Sequence, residues 1–269
     1  MDLALSRRLE RAEGTVAASF IEARQLLAPE IGAISHEFDG TIAIFDGADS
    51  PLSQTFGLGM SGPPTPDTLS EIETMFASRG CDTMHEVSPL AGVETLALLV
   101  DRGYRPFELS TVLVRPLDQI SDDPSAPGLR VRPIEPADRE RWIEASVCGW
   151  SQDLAFAEIM RSMAEIATAN RTMLHYVVER DGAAIGTGSM GIHETVALLA
   201  GASTVPSERG RGAQTLLLAT RLVEARRRGC EVALMVTAPG GASQRNAERR
   251  GFRVAYTRIK WRLGRDATN

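Results

Sequence analysis

Residues 205–215 constrain the possible folds of this chain more than any other segment. They read Val-Pro-Ser-Glu-Arg-Gly-Arg-Gly-Ala-Gln-Thr, after a β-rich apolar segment (196–205) and before apolar residues at helical spacing (216–228). Two glycines and two arginines therefore lie where a strand becomes the first turn of a helix. Main-chain N–H groups converge at such a junction, and the helix dipole adds partial positive charge there. Glycine also lets a ligand approach the backbone closely. The segment predicts a cradle for a phosphate or pyrophosphate.

Two common phosphate-binding motifs do not match this segment. The Gly-Lys-Ser/Thr ending of a P-loop is missing, which argues against a nucleoside triphosphate with Mg²⁺. The three-glycine spacing of a dinucleotide fold is missing as well, and no acidic residue stands out after the next strand. The cradle therefore indicates a different phosphorylated ligand.

The segment resembles motif A of the GNAT superfamily of N-acetyltransferases, Arg/Gln-x-x-Gly-x-Gly/Ala. Arg209 matches the first position and Gly212 the fourth. Gln214 stands at the last position, where the family usually has a small residue. This departure leaves an amide cradle in place but makes the start of the helix more crowded.

The order of elements after the cradle extends this resemblance to motif B of the same superfamily. A continuous apolar run at 231–236 is typical of a buried parallel strand. Ser243 is predicted to cap a short helix that ends at Gly251, and Phe252 opens a strand. The resemblance covers residues 129–263. It implies an α/β domain with a twisted, mixed sheet flanked by helices.

The resemblance also implies acetyl-CoA as the co-substrate and assigns its binding residues. The pyrophosphate is expected at Arg209, Gly210, Arg211, Gly212, Gln214 and Thr215. The pantetheine arm is expected to pair with the main chain of Thr204 and Val205, and the helix start adds Ser243 and Asn246. No Cys/His cluster has metal-ligand spacing, so no metal is expected.

Catalytic residues are less clear because the sequence departs from the family at two positions. Many members carry a Tyr, which protonates or orients the thiolate, four residues before the motif B glycine, and Ala247 stands at that position here. Some members carry a Glu as general base on the strand before the cradle, and Leu198 stands at that position. Two candidate catalytic residues remain. Asn246 either hydrogen-bonds the thioester or supports its helix, and Tyr256 is either an acid or a core tyrosine. His193 and Glu194, at a predicted hairpin turn, are a further candidate base.

The chain is predicted to contain two domains joined by a linker. Residues 118–128 are polar and rich in Pro, Ser and Asp, which is typical of a linker. Residues 129–269 form the predicted acetyltransferase domain. Residues 1–117 repeat its helix, strand, helix and strand order over 67–114, so they are expected to be GNAT-like. Their loop at 57–66 contains three prolines, which cannot donate N–H groups to a phosphate, so no CoA site is expected there. An unrelated α+β domain is the alternative.

Composition limits the partners and the compartment. The net charge of −6 and an aromatic content of 5% argue against nucleic-acid binding. Residues 205–265 nevertheless contain thirteen Arg and one Lys but only four Glu, a local positive charge that suits an anionic ligand. No apolar run reaches about 20 residues, so no membrane association is expected. No signal peptide is visible, and three widely spaced cysteines suit a reducing cytoplasm. A homodimer is left open.

The sequence thus predicts an acyl-CoA-dependent N-acyltransferase, with acetyl as the default group. The acceptor would be an amine of a small molecule or of a protein. Two alternatives keep the cradle and change the chemistry. One is a CoA-binding regulatory module without catalysis, which the missing Tyr and Glu favour. The other is an acyl-CoA decarboxylase on the same fold, acting for example on malonyl-CoA.

Overall fold

A computed structural model describes residues 2–120, 124–150 and 154–264. By its internal contacts the chain divides into two compact units. The first unit comprises residues 1–114 and 236–269, and the second comprises residues 115–235. Residues 121–123 of the predicted linker lie outside the described part of the chain.

Eight helices and eleven strands are found among the described residues. The helices are α1 (Leu3–Ala18), α2 (Phe20–Leu27), α3 (Pro66–Ala77), α4 (Val93–Asp101), α5 (Arg139–Trp150), α6 (Leu154–Ala169), α7 (Ala213–Arg227) and α8 (Ala242–Glu248). The strands are β1 (Ile34–Phe38), β2 (Thr41–Phe45), β3 (Gln54–Phe56), β4 (Thr83–Val87), β5 (Arg105–Pro116), β6 (Arg130–Pro133), β7 (Leu174–Arg180), β8 (Ala183–His193), β9 (Val196–Thr204), β10 (Val232–Thr237) and β11 (Arg253–Leu263). The predicted α/β class with mixed sheets is confirmed.

The second unit contains a five-stranded mixed sheet in the order β6-β7-β8-β9-β10. Neighbours from β6 to β9 are antiparallel, and β10 runs parallel to β9. The Asp-Gly pair at 181–182 predicts a hairpin turn, and β7 and β8 are joined there by a turn in which both residues have positive φ. Helix α5 packs on this sheet through buried Trp142 and Ile143, which contact Ala164 of α6 and Val177 of β7. The sequence pattern predicts strands at 129–133, 175–179, 184–193, 196–205 and 231–236 and helices at 138–147, 154–167 and 216–228, and each of these elements is present.

Strands β9 and β10 pair over only part of their length. Their register joins Val232 to Val196 and Leu234 to Leu198, whereas β9 continues to Thr204. The two parallel strands therefore separate after Leu198. The last part of β9 leads directly into the glycine-containing loop at residues 205–212.

In the first unit the sheet has the order β1-β2-β3-β4-β11-β5. The predicted helix, strand, helix and strand of residues 67–114 are confirmed as α3, β4, α4 and β5. Helix α3 starts with Pro66, and the hydroxyl of its N-cap residue Thr65 accepts a hydrogen bond from the N–H of Thr68. The N-terminus of this helix is therefore capped by the protein's own side chain.

The end of the chain differs from its sequence-based prediction. The sequence pattern predicts two strands, at 252–256 and 257–263, with Ile259, Trp261 and Leu263 on one face of the second. The structure instead has one strand, β11, with an irregularity between Val254 and Tyr256. Strand β11 lies between β4 and β5 and is antiparallel to both. Its residues Trp261 and Leu263 pack in the core of the first unit, as their alternation predicted. The contact units therefore group β11 with residues 1–114, and the predicted domain limits of 1–117 and 129–269 stay a prediction.

Candidate functional site

The loop after β9 has the backbone conformation that its glycines predicted. A short 3-10 turn at Pro206–Glu208 follows the strand, and α7 begins at Ala213. Gly210 has φ of 75° and Gly212 has φ of 89°, both in the left-handed region that side chains with a Cβ rarely adopt. Both glycines are exposed. The loop is therefore an open strand-to-helix junction whose shape depends on glycine.

Main-chain donors accumulate in this loop. Among the described residues, the N–H groups of residues 210–214 donate no hydrogen bond to a protein acceptor. Gly212, the N-cap of α7, has no side chain that could cap the helix. Five consecutive N–H groups at a helix N-terminus form a concave site for an anion, and the helix dipole favours negative charge there.

Charged side chains near the loop add net positive charge. The carboxylate of Glu208 pairs with Arg180 from β7 and, at 3.3 Å, with Arg211. Arg180 also donates to the main-chain oxygen of Arg211, at 3.4 Å. Two guanidinium groups thus share one carboxylate, and Arg209 adds a third positive charge to the loop. Because Arg211 is exposed, its guanidinium can exchange Glu208 for a bound anion.

The side chain of Arg209 connects two elements of the second unit. Its Nε donates to the main-chain oxygen of Thr204 at 3.2 Å, and its Nη2 donates to that of Gly149 at 2.8 Å. A Cβ on Gly149 would lie 2.6 Å from the hydroxyl of Ser203, so only glycine permits this approach of α5 to β9. The guanidinium thus fastens the end of α5 to the end of β9. Contact between Arg209 and a phosphate stays a prediction.

Gln214 also turns back to the end of β9. Its Nε2 donates to the main-chain oxygen of Ser203 at 2.6 Å and to the hydroxyl of Thr204 at 2.7 Å. A small residue at this position could make neither bond. The residue that departs from motif A therefore holds the strand end against the first turn of α7.

The remaining predicted residues of the loop lie on the strand end and the helix start. Thr204 is buried, and the N–H of Val205 donates to the main-chain oxygen of Ile185 on β8 at 3.0 Å. Thr215 is half-buried in the first turn of α7. The structure therefore brings together all the predicted residues from 204 to 215.

Three predicted residues belong to the first unit instead. Helix α8 has Gly241 as its N-cap, so the predicted cap Ser243 is wrong, and Ser243 lies exposed in the first turn. The Oδ1 of Asn246 accepts from the Nη2 of Arg249 at 3.3 Å. The hydroxyl of Tyr256 is buried and donates to Glu10 at 2.7 Å. Roles for these residues in CoA binding or catalysis stay predictions.

His193 and Glu194 are not near the loop. His193 ends β8 and Glu194 lies in the turn to β9, at the opposite end of β9 from Thr204. Strand β9 has nine residues, which corresponds to roughly 30 Å at about 3.4 Å per residue. The pair therefore lies far from the loop, and its role as a base stays a prediction.

A β-bulge between β8 and β9 was not predicted. The register pairs Thr187 with Ser203 and then Ser189 with Ala200, so residues 201 and 202 oppose Gly188 alone. Gly201 has φ of 60°, the conformation that a bulge with a left-handed glycine requires. A glycine inside an apolar strand was the available signal.

A buried arginine next to this bulge was also missed. Arg221 of α7 is 1% exposed, four residues after buried Leu217 on the same face. On the sheet, His175 Nδ1 is hydrogen-bonded to the hydroxyl of Ser189 at 2.9 Å, and burial lowers the pKa of His175 to about 4. The sequence did contain a signal for Arg221, because the spacing of apolar residues in α7 places this arginine on the helix face that packs in the core.

In the part of the chain that the structure describes, no group of three or more His, Cys, Asp or Glu side chains is placed to hold a metal ion. None of the described helices combines the length and apolar composition needed to cross a membrane.

Comparisons with known proteins give one sequence match and several structural ones. The profile of the Acetyltransferase (GNAT) family matches residues 138–252. A GCN5-related N-acetyltransferase from Kribbella flavida superposes with a TM-score of 0.65 at 17% identity, over 91% of this chain and 95% of that one. A tandem GNAT protein from the clavulanic acid biosynthesis pathway superposes with a TM-score of 0.59 at 14% identity, over 84% and 78%. No curated protein matches the sequence significantly.

Proposed function

We propose that this protein transfers an acetyl group from acetyl-CoA to an amine, because the profile of the Acetyltransferase (GNAT) family matches residues 138–252. The observation that carries this proposal is the run of five unpaired N–H donors at residues 210–214. Fold similarity over most of the chain supports a tandem GNAT arrangement. The acceptor is an amine of a small molecule or of a protein.

The loop fits the diphosphate of CoA. Charge-assisted hydrogen bonds from main-chain N–H groups are stronger than neutral ones and need no side-chain ordering. Gly210 and Gly212 leave the approach to these donors clear, since a Cβ at Gly212 would meet only Leu129 within 4 Å and one at Gly210 would meet nothing. Arg180 and Arg211 offset the negative charge. In the N-terminal half, Pro66 and the Thr65 cap remove comparable donors, which supports a single CoA site.

The separation of β9 from β10 offers a place for the acyl-pantetheine arm. Beyond Leu198 the edge of β9 has no partner in β10 within the described register. With the diphosphate of CoA at residues 210–214, its pantetheine arm would run back along this edge of β9 toward the bulge at Gly201. Since the side chain of Gln214 bonds to Ser203 and Thr204, it borders this path.

Acetyl-CoA supplies an electrophilic thioester, so the protein has to position its reactants and move protons. Holding an amine in line with a carbonyl contributes up to about 7–11 kcal/mol in well-oriented cases. Main-chain N–H groups at the exposed bulge around Gly201 are suited to polarise the carbonyl oxygen. The neutral acceptor amine forms a C–N bond as the C–S bond of the thioester breaks. A base or a water molecule takes the proton of the amine, and CoA leaves as a thiolate that takes up a proton.

We expect acetyl-CoA to raise the Tm of the protein by several degrees. A ligand at 100 times its Kd stabilises the folded state by about 2.7 kcal/mol. For a chain of this size each kcal/mol corresponds to about 2–4 °C. Differential scanning fluorimetry with acetyl-CoA, CoA and ADP, against a phosphate buffer blank, measures the effect. An unchanged Tm with all three ligands would contradict the proposal.

The regulatory module is the second candidate. Two apolar residues favour it. Ala247 stands where many family members carry an acidic Tyr, and Leu198 stands where some carry a Glu as base. Both residues are buried, with 1% and 8% exposed. A panel of primary and secondary amines, with release of free thiol as the readout, separates the two functions. Binding of acetyl-CoA without turnover of any amine would favour the module over the transferase.

Replacement of Gln214 by alanine is expected to tighten acetyl-CoA binding, by about threefold to tenfold. The glutamine has to give up or share its bonds to Ser203 and Thr204 when an arm pairs with the strand end, and one such bond contributes about 1 kcal/mol. Isothermal titration calorimetry measures the change in Kd. The matched control is Gln25→Ala, since the exposed Gln25 also donates to a main-chain oxygen, that of Ala33. Weaker binding of Gln214→Ala would identify Gln214 as a CoA ligand instead.

A further inference from the structure

Arg221 has an unusual environment for an arginine. It is 1% exposed, and among the described residues it forms no ion pair with a carboxylate. Its Nη1 donates to the main-chain oxygens of Ser189 at 2.9 Å and Ala200 at 3.2 Å, and its Nε has no partner. Burying a cation without a carboxylate partner is costly, and packing alone does not offset that cost.

The guanidinium contacts the pair of residues that borders the bulge. Ser189 and Ala200 are the first regular pair after the irregularity, which places the two accepting oxygens at its edge. The opposing residue is Gly188, and a Cβ there would lie 3.1 Å from the Cζ of Arg221 and 2.9 Å from Leu217. Gly188 therefore provides the space that the guanidinium occupies. The arginine and two glycines, Gly188 and Gly201, form one structural unit.

This unit lies where the acyl group is expected. The bulge follows Leu198, the last residue of β9 that pairs with β10, and precedes Ser203 and Thr204 at the loop. Gly201 is exposed, so its main chain is accessible to a ligand in the gap. A bulge can turn main-chain groups away from a regular ladder, and such irregularities are frequent beside active sites.

We infer that Arg221 is a positioning residue that holds the bulge of β9 in the shape that receives the thioester carbonyl. This inference rests on the proposed acetyl transfer. Burial lowers the pKa of Arg221 to about 10, so the group stays charged at neutral pH. Its positive charge, next to the main-chain oxygen of Ala200 at the bulge, also favours the negative charge that develops on the carbonyl oxygen during transfer.

Three variants test the inference. Arg221→Met removes the charge and both hydrogen bonds, Arg221→Lys keeps the charge, and Gly188→Ala displaces the guanidinium without changing it. With the best amine of the panel, kcat from thiol release is expected to fall by about tenfold to a hundredfold in Arg221→Met and Gly188→Ala. The Kd of CoA is expected to change by less than about threefold, since the diphosphate loop is unaltered. Arg221→Lys should recover part of kcat.

Arg228→Met is the matched control. It removes an arginine at the end of α7 that pairs with Glu224 at 2.7 Å, and it should leave kcat unchanged. An unchanged kcat in Gly188→Ala, or a parallel loss of CoA binding and kcat in every variant, would overturn the inference and leave the transferase intact. Wild-type protein that binds acetyl-CoA but acetylates no amine would instead remove the proposed function, and this inference with it. Should Arg221→Met fail to fold, Arg221→Lys and Gly188→Ala decide.

Discussion

Replacement of Gly212 by valine is expected to weaken acetyl-CoA binding by roughly a hundredfold, which corresponds to about 2.7 kcal/mol. Gly212 has φ of 89°, which a β-branched residue avoids, so the loop has to change its conformation. The N–H groups of residues 210–214 would then no longer point to one place. Losing one or two hydrogen bonds to a charged group, at about 1.5–3 kcal/mol each, accounts for the expected size.

The measurement is the Kd of acetyl-CoA by isothermal titration calorimetry, beside the thermal unfolding of the free protein. Gly229→Val is the matched control, because Gly229 follows the other end of α7 with φ of 82° and also has open space around it. Both variants should lose similar stability, and only Gly212→Val should lose binding. Equal Kd values for the two variants would place the CoA site elsewhere.

This loop could be predicted from the sequence because its signals are local. Glycine at a positive φ, a strand before it and a helical apolar period after it all lie within about thirty residues. The directions of the long side chains could not be predicted in the same way. Arg209 and Gln214 both turn back to β9, and their acceptors on Gly149, Ser203 and Thr204 depend on how α5 and β9 pack.

Long-range pairing limited the prediction at the C-terminus. The alternation of apolar residues correctly placed Trp261 and Leu263 in a core, but periodicity does not identify which sheet a strand joins. Strand β11 lies between β4 and β5, and Tyr256 bonds to Glu10, 246 positions earlier in the chain. The same limit applied to Arg221, whose acceptors lie 21 and 32 positions away on two strands.

A buried charge cluster joins β11 to the start of the chain. Arg258 is fully buried and pairs with Glu10 at 3.2 Å, with Glu13 at 2.7 Å and with Glu86 at 2.9 Å. Three carboxylates thus surround one guanidinium. Burial raises the pKa of Glu10 and raises that of Glu13 from 4.5 to about 7, in spite of the attraction of Arg258.

These shifts determine how the stability of the first unit depends on pH. A carboxylate whose pKa is higher in the folded state than in the unfolded state binds its proton more tightly when folded. For Glu13 the resulting stabilisation is complete below about pH 4.5 and is lost as the pH rises through about 7. Arg258 is therefore most important at alkaline pH, where the carboxylates are ionised.

Replacement of Arg258 by methionine is expected to lower the free energy of unfolding by about 3–5 kcal/mol at pH 8, because it leaves buried carboxylates without their cation. At pH 5 the loss should be clearly smaller, since Glu10 and Glu13 can bind protons. Urea unfolding, followed by circular dichroism at both pH values, measures the difference. Arg253→Met, at an exposed position of the same strand, should change stability little at either pH. If Arg258→Met lost as much stability at pH 5 as at pH 8, the cluster would not be held together by charge, and packing of the long side chain would explain its burial.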